Sequence, residues 1–125
     1  QLAVNGVTYP LEDKWVLTPE EQTAIGTALA AYNATIEALA TQYDLAFVDA
    51  NALLAELNAN GLPLADGSTV TSTFATGGGF SLDGVHPAPR GYAILANAFI
   101  AAINAKFGSD LPGVNPLDYT GLYIE

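Results

Sequence analysis

Leu45-Ala46-Phe47-Val48-Asp49 is the stretch whose reading decides the fold class. It is apolar for four residues and ends on a carboxylate. A short unbroken apolar run of this kind suits a strand buried on both faces of a parallel sheet. One such strand cannot stand alone, because its N–H and C=O groups need neighbours. No second run of this kind is present, so the pairing is expected from another chain or from a second copy, with a homo-oligomer through the exposed strand edge as one outcome. Isolated, the chain is expected to associate.

Helical signals flank the run. Upstream, Thr18-Pro19-Glu20-Glu21 offers an N-cap Thr, Pro at the first helical position and Glu three residues after the cap. Ile25, Leu29, Tyr32, Ile36, Leu39 and Tyr43 then recur at alternating intervals of four and three, one face of a helix, read as core-facing. Downstream, Asp49 or Asn51 is placed to cap a short helix through Leu57, with Gly61 to stop it. Asp66-Gly67 signals a turn, and Ser68 to Phe74 is β-rich, predicting a small hairpin or extended loop. Gly77-Gly78-Gly79 is a mobile stretch or a tight passage. A last helix is expected over Pro89 to Phe107, with Leu95, Ala98, Phe99, Ala102 and Ile103 on its apolar face. Lys106 then suits the helix dipole and Gly108 stands just past the end. Residues 1–17 read as an irregular lead-in anchored by Trp15, Val16 and Leu17, residues 18–108 as an α/β core portion, and 109–125 as an irregular tail.

Half of the 125 residues are hydrophobic and 13% are charged, the composition of a packing chain. Net charge is −10 with only Lys14, Arg90 and Lys106 basic. Phosphate backbones are held by clustered Lys and Arg, so no nucleic-acid partner is expected, and an anionic membrane surface would repel the chain. The absence of cysteine removes disulfides, thiolate catalysis and Cys-based zinc sites together. The chain opens at Gln1 and contains no methionine, which leads us to expect that a segment before it was removed or that it is a piece of something longer.

His86 is the only histidine, and it stands three residues after Asp83 in Phe80-Ser81-Leu82-Asp83-Gly84-Val85-His86-Pro87. Gly84 and Pro87 make this a loop that opens onto the last helix. A nearby carboxylate accepts the Nδ1 hydrogen of an imidazole, fixes its tautomer, leaves Nε2 able to take a proton and stabilises the imidazolium once formed. That is the acid–base half of a nucleophilic triad. The plain alternative is a structural histidine that caps the following helix or bonds a carboxylate.

Asp83-Gly84-Val85-His86-Pro87-Ala88-Pro89-Arg90-Gly91-Tyr92, running into an Ala/Ile/Leu helix, resembles the last conserved block of the SGNH/GDSL serine ester hydrolases. A long helix containing Tyr32-Asn33, followed by an apolar run ending in Asp49, commonly precedes that block. The lead-in from Pro10 to Gln22 is similar to an inserted segment in exported members from Bacteroidetes-like bacteria, and the Tyr-rich tail looks like the end of such proteins. The resemblance implies an α/β protein, with this chain the C-terminal part (residues 1–125) of a three-layer α/β/α, flavodoxin-like domain. It implies an esterase or lipase that needs no cofactor, with His86 as general base and acid and Asp83 as its support, exported in the parent protein. The substrate would be a carboxylic ester, with acylated carbohydrate or lipid as candidates. The family's Gly-Asp-Ser motif is not found, since Ala65-Asp66-Gly67-Ser68 has the wrong order and Ser109-Asp110 lies beyond the last helix. The serine and the oxyanion-hole donors would then come from an N-terminal portion of the same protein, and this chain alone is expected to be inactive. The competing class is a non-catalytic interaction module.

Phe80, Arg90 and Tyr92 are the candidates for substrate contact, with Phe74 a further aromatic. Packing for the aromatics, and a surface ion pair for Arg90, are their ordinary alternatives. Asp49 ends its run where α/β sites gather, or simply caps the next helix. A single His without Cys is thin for zinc, and the acids lack EF-hand spacing, so no metal is expected.

Overall fold

The structure, a computed structural model, describes residues 3–122 and divides into two units, Gln1–Asp44 and Leu45–Glu125. The chain mixes helix and strand. In the first unit a 3₁₀ turn at Asp13–Trp15 precedes helix α1, Pro19–Gln42. Its start is the expected capping box. Thr18 Oγ1 accepts from the Glu21 amide at 3.3 Å, and Glu21 Oε2 accepts from the Thr18 amide at 2.9 Å, satisfying two donors that a helix start leaves open. The stripe from Ile25 to Tyr43 lies on one face as its spacing requires. It is exposed rather than buried, from 45% at Leu39 to 67% at Tyr32. This corrects the core-facing reading, because the first unit holds no second helix or sheet to cover it.

The second unit opens on Leu45 to Asp49, which forms no strand with any of the described residues. Among the described residues, no backbone hydrogen bond is formed by the N–H or C=O of Leu45, Ala46 or Phe47; the Val48 carbonyl accepts from Ala50 three ångströms away. Without a neighbour the run has the sequence of a strand but no ladder. Asp49 takes the alternative role: its Oδ1 accepts from the Ala52 amide at 2.8 Å and caps α2, Ala50–Ala59. The expected hairpin forms as β1, Leu62–Pro63, antiparallel to β2, Thr69–Val70, with Leu62 opposite Val70. Asp66 closes its turn by accepting from both the amide and the hydroxyl of Ser68.

Gly77, Gly78 and Gly79 are buried, a tight passage and not a mobile stretch. A Cβ on Gly77 would stand 2.5 Å from the Thr71 carbonyl oxygen, and one on Gly79 2.8 Å from it. Helix α3 covers Pro89–Phe107 as expected and ends at left-handed Gly108. No helix of the described residues is long and apolar enough to cross a membrane. The tail runs back along α3. Asn97 donates to the Val114 carbonyl and accepts from the Val114 amide, both at 2.8 Å. Asn104 does the same with Leu111 at 3.0 and 2.9 Å.

Candidate functional site

The segment that carries His86 is a small closed hairpin. Phe80 bridges Pro87, the Ser81 amide donates to the His86 carbonyl at 2.8 Å, and the Ala88 amide donates to the Gly79 carbonyl at 3.0 Å. Gly84, with a φ of +71°, lets the chain reverse between Asp83 and Val85, and its amide donates to the Ser81 carbonyl at 3.0 Å. Pro87 and Pro89 then turn the chain into α3. The N-cap of that helix, Ala88, has no side chain able to cap. The hairpin replaces local capping with a fixed entry.

Asp83 organises the turn with both oxygens. Its Oδ1 accepts from the Ser81 hydroxyl at 2.6 Å and from the amides of Val85 and His86 at 2.9 Å each. Its Oδ2 faces His86 Nδ1 at 2.6 Å. The Ser81 hydroxyl first, then the His86 ring and the two amides, hold the Asp83 carboxyl far below the usual carboxylate range. Asp83 is thus an anion throughout the neutral range. An anion at Nδ1 selects the tautomer with hydrogen on that nitrogen and leaves Nε2 with its lone pair. The ring is open to solvent: the side chain of His86 is 70% exposed and that of Asp83 is 50% exposed. No hydrogen bond to Nε2 forms among the described residues. The pair can therefore accept a proton from an alcohol that approaches from outside and return it to a leaving group.

Beside this pair lies an apolar groove of about 170 Å³. Leu53 and Leu57 of α2, Ile94 and Leu95 of α3, and Phe80 line it, together with Val85 and Pro87 on either side of His86. Phe80 thus stands in the groove next to the histidine. Tyr92 does not join it. It belongs to a second hollow, of about 340 Å³, with Pro89, Ala93, Ala96, Val114 and Tyr119. Arg90 forms no ion pair among the described residues. Its Nε donates to the carbonyls of Pro116 at 3.3 Å and Tyr119 at 3.2 Å, so the side chain holds the tail. Phe74 is exposed, and a Cβ on Gly84 would lie 3.5 Å from its ring. No group of three or more His, Cys, Asp or Glu side chains comes together among the described residues.

Two groups escaped the reading of the sequence. Ser81 bonds Asp83, and its signal is a hydroxyl residue two positions before an Asp that begins a turn. Asn97 and Asn104 hold the tail, and their signal, with Arg90, is a polar residue every seven positions along one helix face. Comparison of the chain with models of protein families, with curated proteins and with solved structures finds no match.

Proposed function

We propose that this chain supplies the acid–base half of a serine ester hydrolase. The observation that carries the reading is the 2.6 Å approach of Asp83 Oδ2 to His86 Nδ1, with the ring otherwise open. In the proposed reaction His86 Nε2 takes the proton of a serine hydroxyl as its oxygen attacks the ester carbonyl carbon. The imidazolium then donates that proton to the departing alcohol oxygen, and water repeats the sequence to release the acid. Asp83 stays ionised throughout and holds the ring. The serine and the oxyanion-hole donors belong, in this reading, to an N-terminal portion of the same protein. That portion also provides the strands that Leu45 to Val48 lack, completing a three-layer α/β/α domain of SGNH/GDSL type. Support comes from the Asp-x-x-His-Pro block, from the unpaired apolar run and from the uncovered stripe on α1. The proposed substrate is a carboxylic ester, in the class of acylated carbohydrates or lipids, met by an exported protein.

The test uses a short-chain aryl ester. The 125-residue chain leaves it intact, the longer protein cleaves it, and His86→Ala in the longer protein lowers turnover by roughly a thousandfold. Turnover that survives this change at the parental level removes His86 from the chemistry.

One observation favours a second reading. All four hydrogen bonds of Asp83 stay within its own turn, the pattern of a residue that shapes a loop. A non-catalytic module with a structural Asp-x-x-His turn would keep this geometry. A longer protein without a Gly-Asp-Ser segment after a strand favours the module.

A further inference from the structure

Asp83 has two oxygens and four donors that meet them, so something must decide which oxygen meets the ring. The amides of Val85 and His86 and the Ser81 hydroxyl all converge on Oδ1 at 2.6 to 2.9 Å. Only His86 Nδ1 meets Oδ2. The two amides belong to the backbone of the turn. The hydroxyl comes from the residue that opens the turn, and its own amide donates to the His86 carbonyl at 2.8 Å, so it cannot drift from the histidine. We infer that Ser81 is a positioning residue of the Asp83–His86 pair: its hydroxyl anchors Oδ1 and so presents Oδ2 to the imidazole. This rests on the acid–base role proposed above for the pair, and it names the group that sets that role.

Two consequences separate this from a general structural part. The Ser81 bond is the leading cause of the lowered Asp83 pKa, so its loss moves the carboxyl back up toward the ordinary value. Its loss also frees the carboxylate to rotate, which weakens its hold on the ring tautomer. Arg90 and Tyr92 are the titratable groups that follow the turn in the first turn of α3. Arg90 is engaged with tail carbonyls, and Tyr92 lies in the second hollow, so neither competes for Asp83.

The experiment is a nitrogen and carbon NMR titration of the 125-residue chain, which needs no esterase activity. In the parent chain, well above the histidine midpoint, the ring carries its hydrogen on Nδ1. In Ser81→Ala the ring becomes a mixture of tautomers, and the Asp83 carboxyl midpoint rises by about one pH unit. Ser81→Thr restores both, because it keeps the hydroxyl. Ser81→Val, which matches Thr in shape and lacks the hydroxyl, behaves as the alanine variant and decides the matter should alanine unfold the chain. A tautomer and midpoint in Ser81→Ala or Ser81→Val equal to those of the parent overturn the assignment of Ser81 and leave the pair standing. A parent chain without hydrogen on Nδ1 overturns the pair itself, and the role of Ser81 with it.

Discussion

Helices α1 and α3 begin alike and end up in opposite circumstances. Each has proline at its first position and each runs for five turns or more. The first carries its start in its own side chains, through Thr18 and Glu21, and keeps five large apolar residues in solvent. The second has no side-chain cap. Instead, a hairpin meets its start, a groove lies along one side and the tail along another. Asp83 and His86 sit in the turn just before the helix that depends on its surroundings. Local signals are enough to begin α1, whereas the start of α3 is fixed by the hairpin that precedes it.

Glycine substitution separates the two most sharply. Gly91 lies in the first turn of α3, where a Cβ would run into the Gly79 carbonyl oxygen and stand 3.0 Å from Pro87 Cβ. Backbone cannot yield cheaply there, so Gly91→Ala lowers stability by about 3 kcal/mol in denaturant unfolding, despite the better helix propensity of alanine. The same change in α1 has the opposite sign. A Cβ on Gly26 meets nothing within 4 Å, so Gly26→Ala stabilises its helix by about 1 kcal/mol. If both variants move the same way, the contrast fails.

A smaller effect follows at the cap. Thr18→Ala removes one half of the capping box and costs α1 about 1 kcal/mol, read as faster amide exchange at Glu21 and Gln22 with that of α3 unchanged. The smallest effect concerns acid. The folded carboxyl of Asp83 titrates below its ordinary value of 3.8, so its contribution to stability is complete above that value and is lost as the pH falls below it. The Asp83 contribution to the gap between the parent and Asp83→Asn therefore narrows as the pH falls below about 4. Because the carboxyl is half exposed, the gap is small; a gap that widens in acid contradicts the sign.

Where interactions stay within a few residues, the sequence was readable. The capping box at Thr18, the cap at Asp49, the span of α3 and the meeting of Asp83 with His86 are all set within four residues or by the local backbone. Leu45 to Val48 forms no ladder because strand is a property of a pair, and no partner lies within the described residues. The stripe on α1 was misread for a related reason: periodicity shows that apolar residues share a face, not that anything covers it. Phe80 and Tyr92 are twelve positions apart in one block, yet they open on different hollows, because the turn and the first helical positions aim them apart. Arg90 reaches carbonyls 26 and 29 residues onward, beyond any local pattern.

The seven-residue interval of Arg90, Asn97 and Asn104 makes α3 a ruler. Each residue advances an α-helix by about 100°, so adding or deleting one between Arg90 and Asn104 swings the later graspers away from Val114 and Leu111. Length in this helix is therefore counted and not merely sufficient. Homologous chains should vary it in steps of seven if at all, whereas α1, which grips nothing of the kind, is free to gain or shed single residues at its far end.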